Sequence, residues 1–243
     1  MDNGPVGSRS RISNGDGNLD IAVTSAGNYG FKGAVSVLMG TGNATFSPAV
    51  GYAFDEGPAG IAGLAIADFN RDGNLDFAVA DNIVGKLRVF LGKGDGSFQP
   101  GSQTAIGPNV SDLAAADFNG DGDVDLSVPT GNYAIEVLLG NGDGTFREGE
   151  NIPSLQAYWV TAADFNSDGK ADLALLSGEG LVQLFLNSGD GTFGPGVSTY
   201  TGIDPGKRNL VVGDWNGDGA LDLAAANYNG GSVSVFLNRC AAH

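Results

Sequence analysis

Apolar residues along this chain alternate with polar or small ones over short runs, and no stretch carries helical spacing. Leu75-Asp76-Phe77-Ala78-Val79-Ala80 places a large apolar side chain at every second position, the period of a strand. The pattern predicts strands over about 61–67, 75–80, 86–91 and 97–104, and similar quartets elsewhere. Several strands are apolar or small on both faces, such as Leu221-Asp222-Leu223-Ala224-Ala225-Ala226 and Val233-Ser234-Val235-Phe236-Leu237. Two-sided burial suits sheets stacked face to face around a ring. The expected fold class is therefore all-β, a β-propeller of about five four-stranded blades.

The connections repeat as regularly as the strands. Asp-x-Asn-x-Asp-Gly-x-x-Asp occurs at 68–76, 117–125, 164–172 and 214–222, between strands 1 and 2 of each unit. A damaged copy keeps Asn14, Asp16, Gly17, Asn18 and Asp20 but has Ile12 where the first Asp would stand. The position-5 acids Asp16, Asp72, Asp121, Asp168 and Asp218 are separated by 56, 49, 47 and 50 residues, a period that signals a repeat architecture. A second landmark joins strands 3 and 4: Leu-Gly-Lys-Gly-Asp-Gly-Ser-Phe at 91–98, with counterparts at 139–146 and 186–193 and a weaker one at 39–46. Gly-Asp-Gly between apolar runs is a hairpin signal. One domain over 1–243 follows, with units at about 12–58, 59–108, 109–155, 156–205 and 206–238. The first unit lacks a clear strand 1 and the last stops after strand 3, so residues 1–11 are either a closing strand or a segment foreign to the repeat. A closed ring would make the chain a monomer; an open one would complete itself by oligomerising.

The repeated loop has the chemistry of a calcium site. Ca2+ takes 6–8 hard oxygen ligands, and Gly at position 6 allows the sharp turn. The expected ligands are Asp68, Asn70, Asp72 and Asp76; Asp117, Asn119, Asp121 and Asp125; Asp164, Asn166, Asp168 and Asp172; and Asp214, Asn216, Asp218 and Asp222. Position 7 would give its main-chain carbonyl, which tolerates Asn74, Asp123, Lys170 and Ala220. Asn14, Asp16, Asn18 and Asp20 form a fifth, weaker candidate. An EF-hand is excluded, because its position-12 Glu is replaced by Val79, Val128, Leu175 and Ala225. A metal-free Asx turn is the rival reading of one copy; four copies with three carboxylates each argue against it. Trp215 takes the place of Phe69, Phe118 and Phe165 at loop position 2 and reads as core.

The residues Ala-Asp-Phe-Asn-x-Asp-Gly-x-x-Asp-Leu-Ala-Val followed by Leu-Gly-x-Gly-Asp-Gly-Thr-Phe resemble the FG-GAP/VCBS repeat over residues 14–238. That repeat forms the calcium-binding propeller of integrin α-subunits and of many bacterial secreted proteins. The resemblance implies calcium at the loop positions already named. It implies seven blades as the usual number, where this chain has room for about five.

Composition narrows function. The net charge of −16 argues against nucleic acid and anionic membranes; four calcium ions would bring it to about −8. No apolar run is long enough for a membrane span. Cys240 is the one cysteine, so an internal disulfide is excluded. Calcium loops of modest affinity suit a secreted or cell-surface setting, with any export signal absent from this sequence. The sole His is His243, so a Ser-His-Asp or Cys-His site inside the fold is unavailable. The variable loops opposite the calcium loops carry Tyr29, Phe31, Asp55, Glu56, Asn82, Tyr133, Tyr158, Trp159 and Tyr228, a palette for sugar or protein contact. Tyr158 and Trp159 read equally as strand-packing residues. The leading expectation is a non-catalytic binding or adhesion module for carbohydrate or an extracellular protein. The alternatives are a carbohydrate-active enzyme using the variable face, and a fragment or scaffold without its own partner.

Overall fold

The computed structural model describes residues 14–25, 33–54, 60–107, 109–200, 210–227 and 231–239. Those residues form five small antiparallel sheets and no helix. The fold is all-β, a β-propeller of small antiparallel blades, as the alternating pattern predicts.

The first sheet contains β1 (Ile21–Ser25), β2 (Ala34–Leu38) and β3 (Val50–Ala53). The second contains β4 (Ile61–Ala67), β5 (Asp76–Asp81), β6 (Lys86–Gly92) and β7 (Phe98–Ala105). The third contains β8 (Ala114–Ala116), β9 (Asp125–Thr130), β10 (Ala134–Gly140) and β11 (Phe146–Pro153). The fourth contains β12 (Ala157–Ala163), β13 (Asp172–Ser177), β14 (Leu181–Phe185) and β15 (Val197–Tyr200). The fifth contains β16 (Leu210–Gly213), β17 (Asp222–Asn227) and β18 (Ser232–Phe236). Strand order follows chain order within each sheet, so every connection is a hairpin. The middle three sheets have the expected four strands; among the described residues the first and fifth have three.

Strand 2 of each complete unit is buried at all six positions: β5, β9 and β13. This is the physical meaning of the two-sided apolar runs. The outermost strands β7 and β15 are mostly exposed, as edges should be.

The chain divides into two compact units, Met1–Val110 with Gly140–Phe146, and Ser111–Leu139 with Arg147–His243. In the first unit, Ala22, Val35 and Val37 of the first sheet pack against Leu64, Phe77, Val79 and Phe90 of the second. In the second unit, Ile135 and Val137 of the third sheet meet Leu173, Leu175 and Phe185 of the fourth. The opposite face of the fourth, with Ala174, Leu176 and Val182, meets Leu210, Leu223 and Ala225 of the fifth. In β5, β13 and β17 the odd-numbered side chains face the preceding sheet, and in β13 the even-numbered ones face the next. A one-residue slip in register would exchange the sets, so the hydrophobic pattern fixes the pairing.

Trp215 departs from the expectation. It is 52% exposed, whereas Phe69, Phe118 and Phe165 are 3%, 0% and 4% exposed. Its indole lies over Gly213, close enough to obstruct a Cβ there. The ring of Phe69 is covered edge-on by Phe146, and that of Phe118 by Phe193, each from the hairpin of a following sheet. Among the described residues no sheet follows the one that carries Trp215 in the chain. Loop position 2 is therefore core only where another sheet comes after it.

Candidate functional site

Each acidic loop is built around one recurring geometry. The first Asp accepts the N–H of the position-6 Gly: Asp68 from Gly73 at 2.8 Å, Asp117 from Gly122 at 2.9 Å, Asp164 from Gly169 at 2.8 Å and Asp214 from Gly219 at 3.0 Å. The position-3 Asn accepts the N–H of position 5, as in Asn70 with Asp72 at 3.1 Å, Asn119 with Asp121 at 2.9 Å, Asn166 with Asp168 at 3.0 Å and Asn216 with Asp218 at 2.8 Å. The position-5 Asp accepts from position 7: Asn74, Asp123, Lys170 and Ala220. The damaged copy keeps this half, with Asp16 N–H on Asn14 and Asn18 N–H on Asp16.

These hydrogen bonds shift the acids. Bonds from the position-7 N–H hold Asp72, Asp121 and Asp168 below the ordinary carboxylate range, and the Asn18 N–H does the same for Asp16. Asp214 is lowered chiefly by the Gly219 N–H.

The last acid of each loop behaves differently. Asp76 is fully buried, and its two oxygens accept Phe69 N–H at 2.9 Å and Gly92 N–H at 2.7 Å. Asp172 takes Phe165 N–H at 3.0 Å and Asn187 N–H at 2.8 Å. Asp222 takes Trp215 N–H at 3.0 Å and Asn238 N–H at 2.7 Å. Asp125 takes Phe118 N–H at 2.8 Å, and Asp20 takes Gly40 N–H at 2.8 Å. Asp76, Asp172 and Asp222 each staple the loop to the end of the third strand of their own sheet. Burial pushes Asp76 and Asp172 upward in pKa, and the backbone N–H groups oppose it.

The donor set fits a hard divalent cation in kind: side-chain oxygens at positions 1, 3 and 5 on a turn whose position 7 offers a carbonyl. Position 9 fits less directly, because its oxygens face backbone N–H groups. With each carboxylate turned onto loop N–H groups, no three acidic, His or Cys side chains among the described residues converge on one point.

Two features escaped the sequence reading. Position 4 of the loop is left-handed in every copy: Gly15 (φ 80°), Arg71 (58°), Gly120 (74°), Ser167 (61°) and Gly217 (78°). Glycine at three of the five copies was the available signal. The second is a pair of bridging asparagines. Asn187, 4% exposed, donates to Phe118 O at 2.9 Å and Ala171 O at 3.0 Å and accepts Gly189 N–H at 2.8 Å. Asn238 donates to Phe165 O at 2.6 Å and Leu221 O at 3.2 Å. The corresponding residues Gly40 and Gly92 have no room for a Cβ, so Asn marks a local change of plan.

On the variable loops, Tyr29, Phe31, Asp55, Glu56 and Tyr228 lie outside the described residues, as do Ile12 and residues 1–11. Tyr133 is 61% exposed with φ 58°. Tyr158 lies over Gly178, 6.2 Å from the Trp159 ring by centroids. Trp159 itself packs on the core between the fourth and fifth sheets. Asn82 donates its N–H to Gly60 O at 2.8 Å and approaches Gly60 with its side-chain oxygen. Only Tyr133 of the described set presents most of its surface to solvent.

The FG-GAP-like repeat profile matches residues 14–79, 68–128, 117–175 and 164–225. The chain belongs to the FG-GAP-like repeat family. Each match begins at one acidic loop and runs beyond the next, so the family's unit and the spacing of the loops agree. A search of curated proteins finds no match to this chain. Among solved structures, BBS1N in complex with ARL6DN is similar over 99% of this chain and 68% of that one, at 14% identity and a TM-score of 0.63. A second crystal of the same complex gives 91% and 62%, at 12% identity and a TM-score of 0.57. A Lactobacillus plantarum protein is similar over 89% of this chain and 67% of that one, at 12% identity and a TM-score of 0.57. Saccharomyces cerevisiae Sqt1 is similar over 96% and 64%, at 13% identity and a TM-score of 0.54. This FG-GAP chain thus spans roughly two thirds of those chains, and the likeness concerns the fold. Among the described residues no helix is long and apolar enough to cross a membrane.

Proposed function

We propose that this FG-GAP chain is a calcium-stabilised, non-catalytic binding module of a secreted or cell-surface protein, recognising carbohydrate or another protein. The propeller fold supports a binding or scaffold role at the coarse level. The observation that carries the calcium reading is the same oxygen-lined turn recurring in every unit, with left-handed residues at positions 4 and 6. A turn that served only to reverse the chain would need neither three acids nor their mutual repulsion.

The aromatic and amide side chains of the variable loops support the partner reading, with Tyr133 the exposed representative. An array of glycans and extracellular proteins, probed with calcium-loaded protein and again in EDTA, tests it. The expected result is a calcium-dependent ligand whose binding falls on Tyr133→Ala. Binding unchanged by that variant and by EDTA would overturn the assignment.

A further inference from the structure

The acidic turns differ in charge at position 7, which reads Asn18, Asn74, Asp123, Lys170 and Ala220 along the chain. The turn at 164–172 therefore places an ammonium where the others have an amide, an acid or a methyl group. Three neighbours hold that ammonium in place. Lys170 Nζ donates to the Ser188 carbonyl at 2.9 Å and lies 3.7 Å from Asp168 Oδ2. The lysine stem runs over Gly189, where a Cβ would stand 2.8 Å from Cε and 2.9 Å from Cδ. In the first and second sheets the matching hairpin glycines, Gly42 and Gly94, lie against the side-chain oxygens of Asn18 and Asn74. The same cradle between turn and hairpin thus takes an amide twice and a cation once. The charge reaches the hairpin acid as well. Thr192 is the first cause holding the Asp190 carboxyl below its ordinary range, and Lys170 adds to it.

A partly exposed ion pair of this length contributes little to folding. It matters more to a turn that recruits a divalent cation. Asp168 is an expected calcium ligand through its side chain, and Lys170 is one through its main-chain carbonyl. A fixed positive charge beside one ligand oxygen opposes a second cation at the same place. Swinging the ammonium away instead breaks its bond to Ser188. Either route weakens calcium binding relative to a turn whose position 7 is uncharged. In the absence of calcium, the same ammonium offsets part of the repulsion among Asp164, Asp168 and Asp172. The turn at 117–125 also meets a cation, with Arg147 Nη2 3.7 Å from Asp121 Oδ2, but it carries the additional acid Asp123. The turn at 214–222, with Ala220 at position 7, is the direct comparison.

We propose that Lys170 is a tethered cation that lowers the calcium affinity of the turn at 164–172 and steadies that turn when calcium is scarce. The inference rests on the calcium reading above and deepens it, because it sets an order in which the turns fill.

The test is a calcium titration of the intact, EDTA-stripped protein followed by 15N NMR. The position-6 amides of Gly73, Gly122, Gly169 and Gly219 report the four intact turns separately, each donating to the first Asp of its own turn. In the parent, Gly169 should reach its midpoint at a calcium concentration at least about threefold above that of Gly219. Lys170→Met keeps the stem and removes the charge; it should lower the Gly169 midpoint at least about threefold and leave Gly219 where it was. Lys170→Arg should behave as the parent does. In EDTA the Met variant should melt below the parent, and saturating calcium should close the gap. A parent in which Gly169 titrates together with Gly219, or a Gly169 midpoint unmoved by Lys170→Met, overturns the inference and leaves calcium binding standing. So does a melting loss that is equal in EDTA and in calcium, the mark of a merely structural lysine. No movement of any of the four glycines at millimolar calcium overturns the calcium reading, and the inference with it.

Discussion

Asp172 offers the sharpest test of how the loops are fixed. Its carboxylate is fully buried and accepts two backbone N–H groups, from Phe165 at 3.0 Å and Asn187 at 2.8 Å. Replacement by Ala leaves both donors without their acceptor. A hydrogen bond to a charged group contributes about 1.5–3 kcal/mol. Burial of the carboxylate offsets part of this, since desolvation is the leading cause of its raised pKa. The net loss is about 3 kcal/mol, or roughly 6–12 °C in melting temperature for a chain of this length. Asn should cost about 2 kcal/mol, because its amide NH2 would face one of the two N–H donors. The assay is thermal unfolding by circular dichroism in EDTA and again in excess calcium. The staple account predicts the loss in both buffers. If Asp172→Ala melts with the parent in EDTA and differs only in calcium, the residue is a metal ligand and not a staple.

Three other outcomes follow from the same geometry. Asn187→Ala should cost about 1–3 kcal/mol in chemical denaturation, since it removes the side-chain donor to Phe118 O and Ala171 O and the acceptor of the Gly189 N–H, while Phe118 O keeps the Gly191 N–H. Arg71→Gly and Ser167→Gly should each stabilise by about 0.5–1 kcal/mol in the same assay, relieving a left-handed backbone at φ 58° and 61°. Asp112 accepts the Val160 N–H at 3.3 Å, and burial pushes its pKa up to about 7. Its contribution to stability is therefore full below the unfolded value of 3.8 and is lost as pH rises to about 7. Asp112→Asn should leave stability at pH 4 unchanged and raise it at pH 8 by about 2–3 kcal/mol, less than the full shift implies because the residue keeps some exposed surface.

The fold was legible because two periods coincide in the sequence. Alternation over 61–67, 75–80, 86–91 and 97–104 gives four strands, and the structure places them at Ile61–Ala67, Asp76–Asp81, Lys86–Gly92 and Phe98–Ala105. The loop recurring about every fifty residues then multiplies the unit. What sequence could not show is whether a motif position has a neighbour. Trp215 and Phe165 occupy the same slot in their loops, yet one is 52% exposed and the other 4%. Burial at that slot is conferred by the next sheet, and the residue itself carries no sign of it. Likewise, the three acids of a loop look alike in sequence. Only the backbone separates Asp68, half-buried, and Asp72, exposed on the turn, from Asp76, enclosed at the strand start.

The central claim is that the acidic turns bind calcium and that this stabilises the blades. Isothermal titration of calcium into EDTA-stripped protein, paired with melting curves across the same concentrations, addresses it most directly. The account predicts about four sites per chain, the damaged loop contributing little. Each site should add about 2.7 kcal/mol once calcium exceeds its dissociation constant a hundredfold. No heat of binding at millimolar calcium, together with identical melting curves in calcium and EDTA, would contradict it.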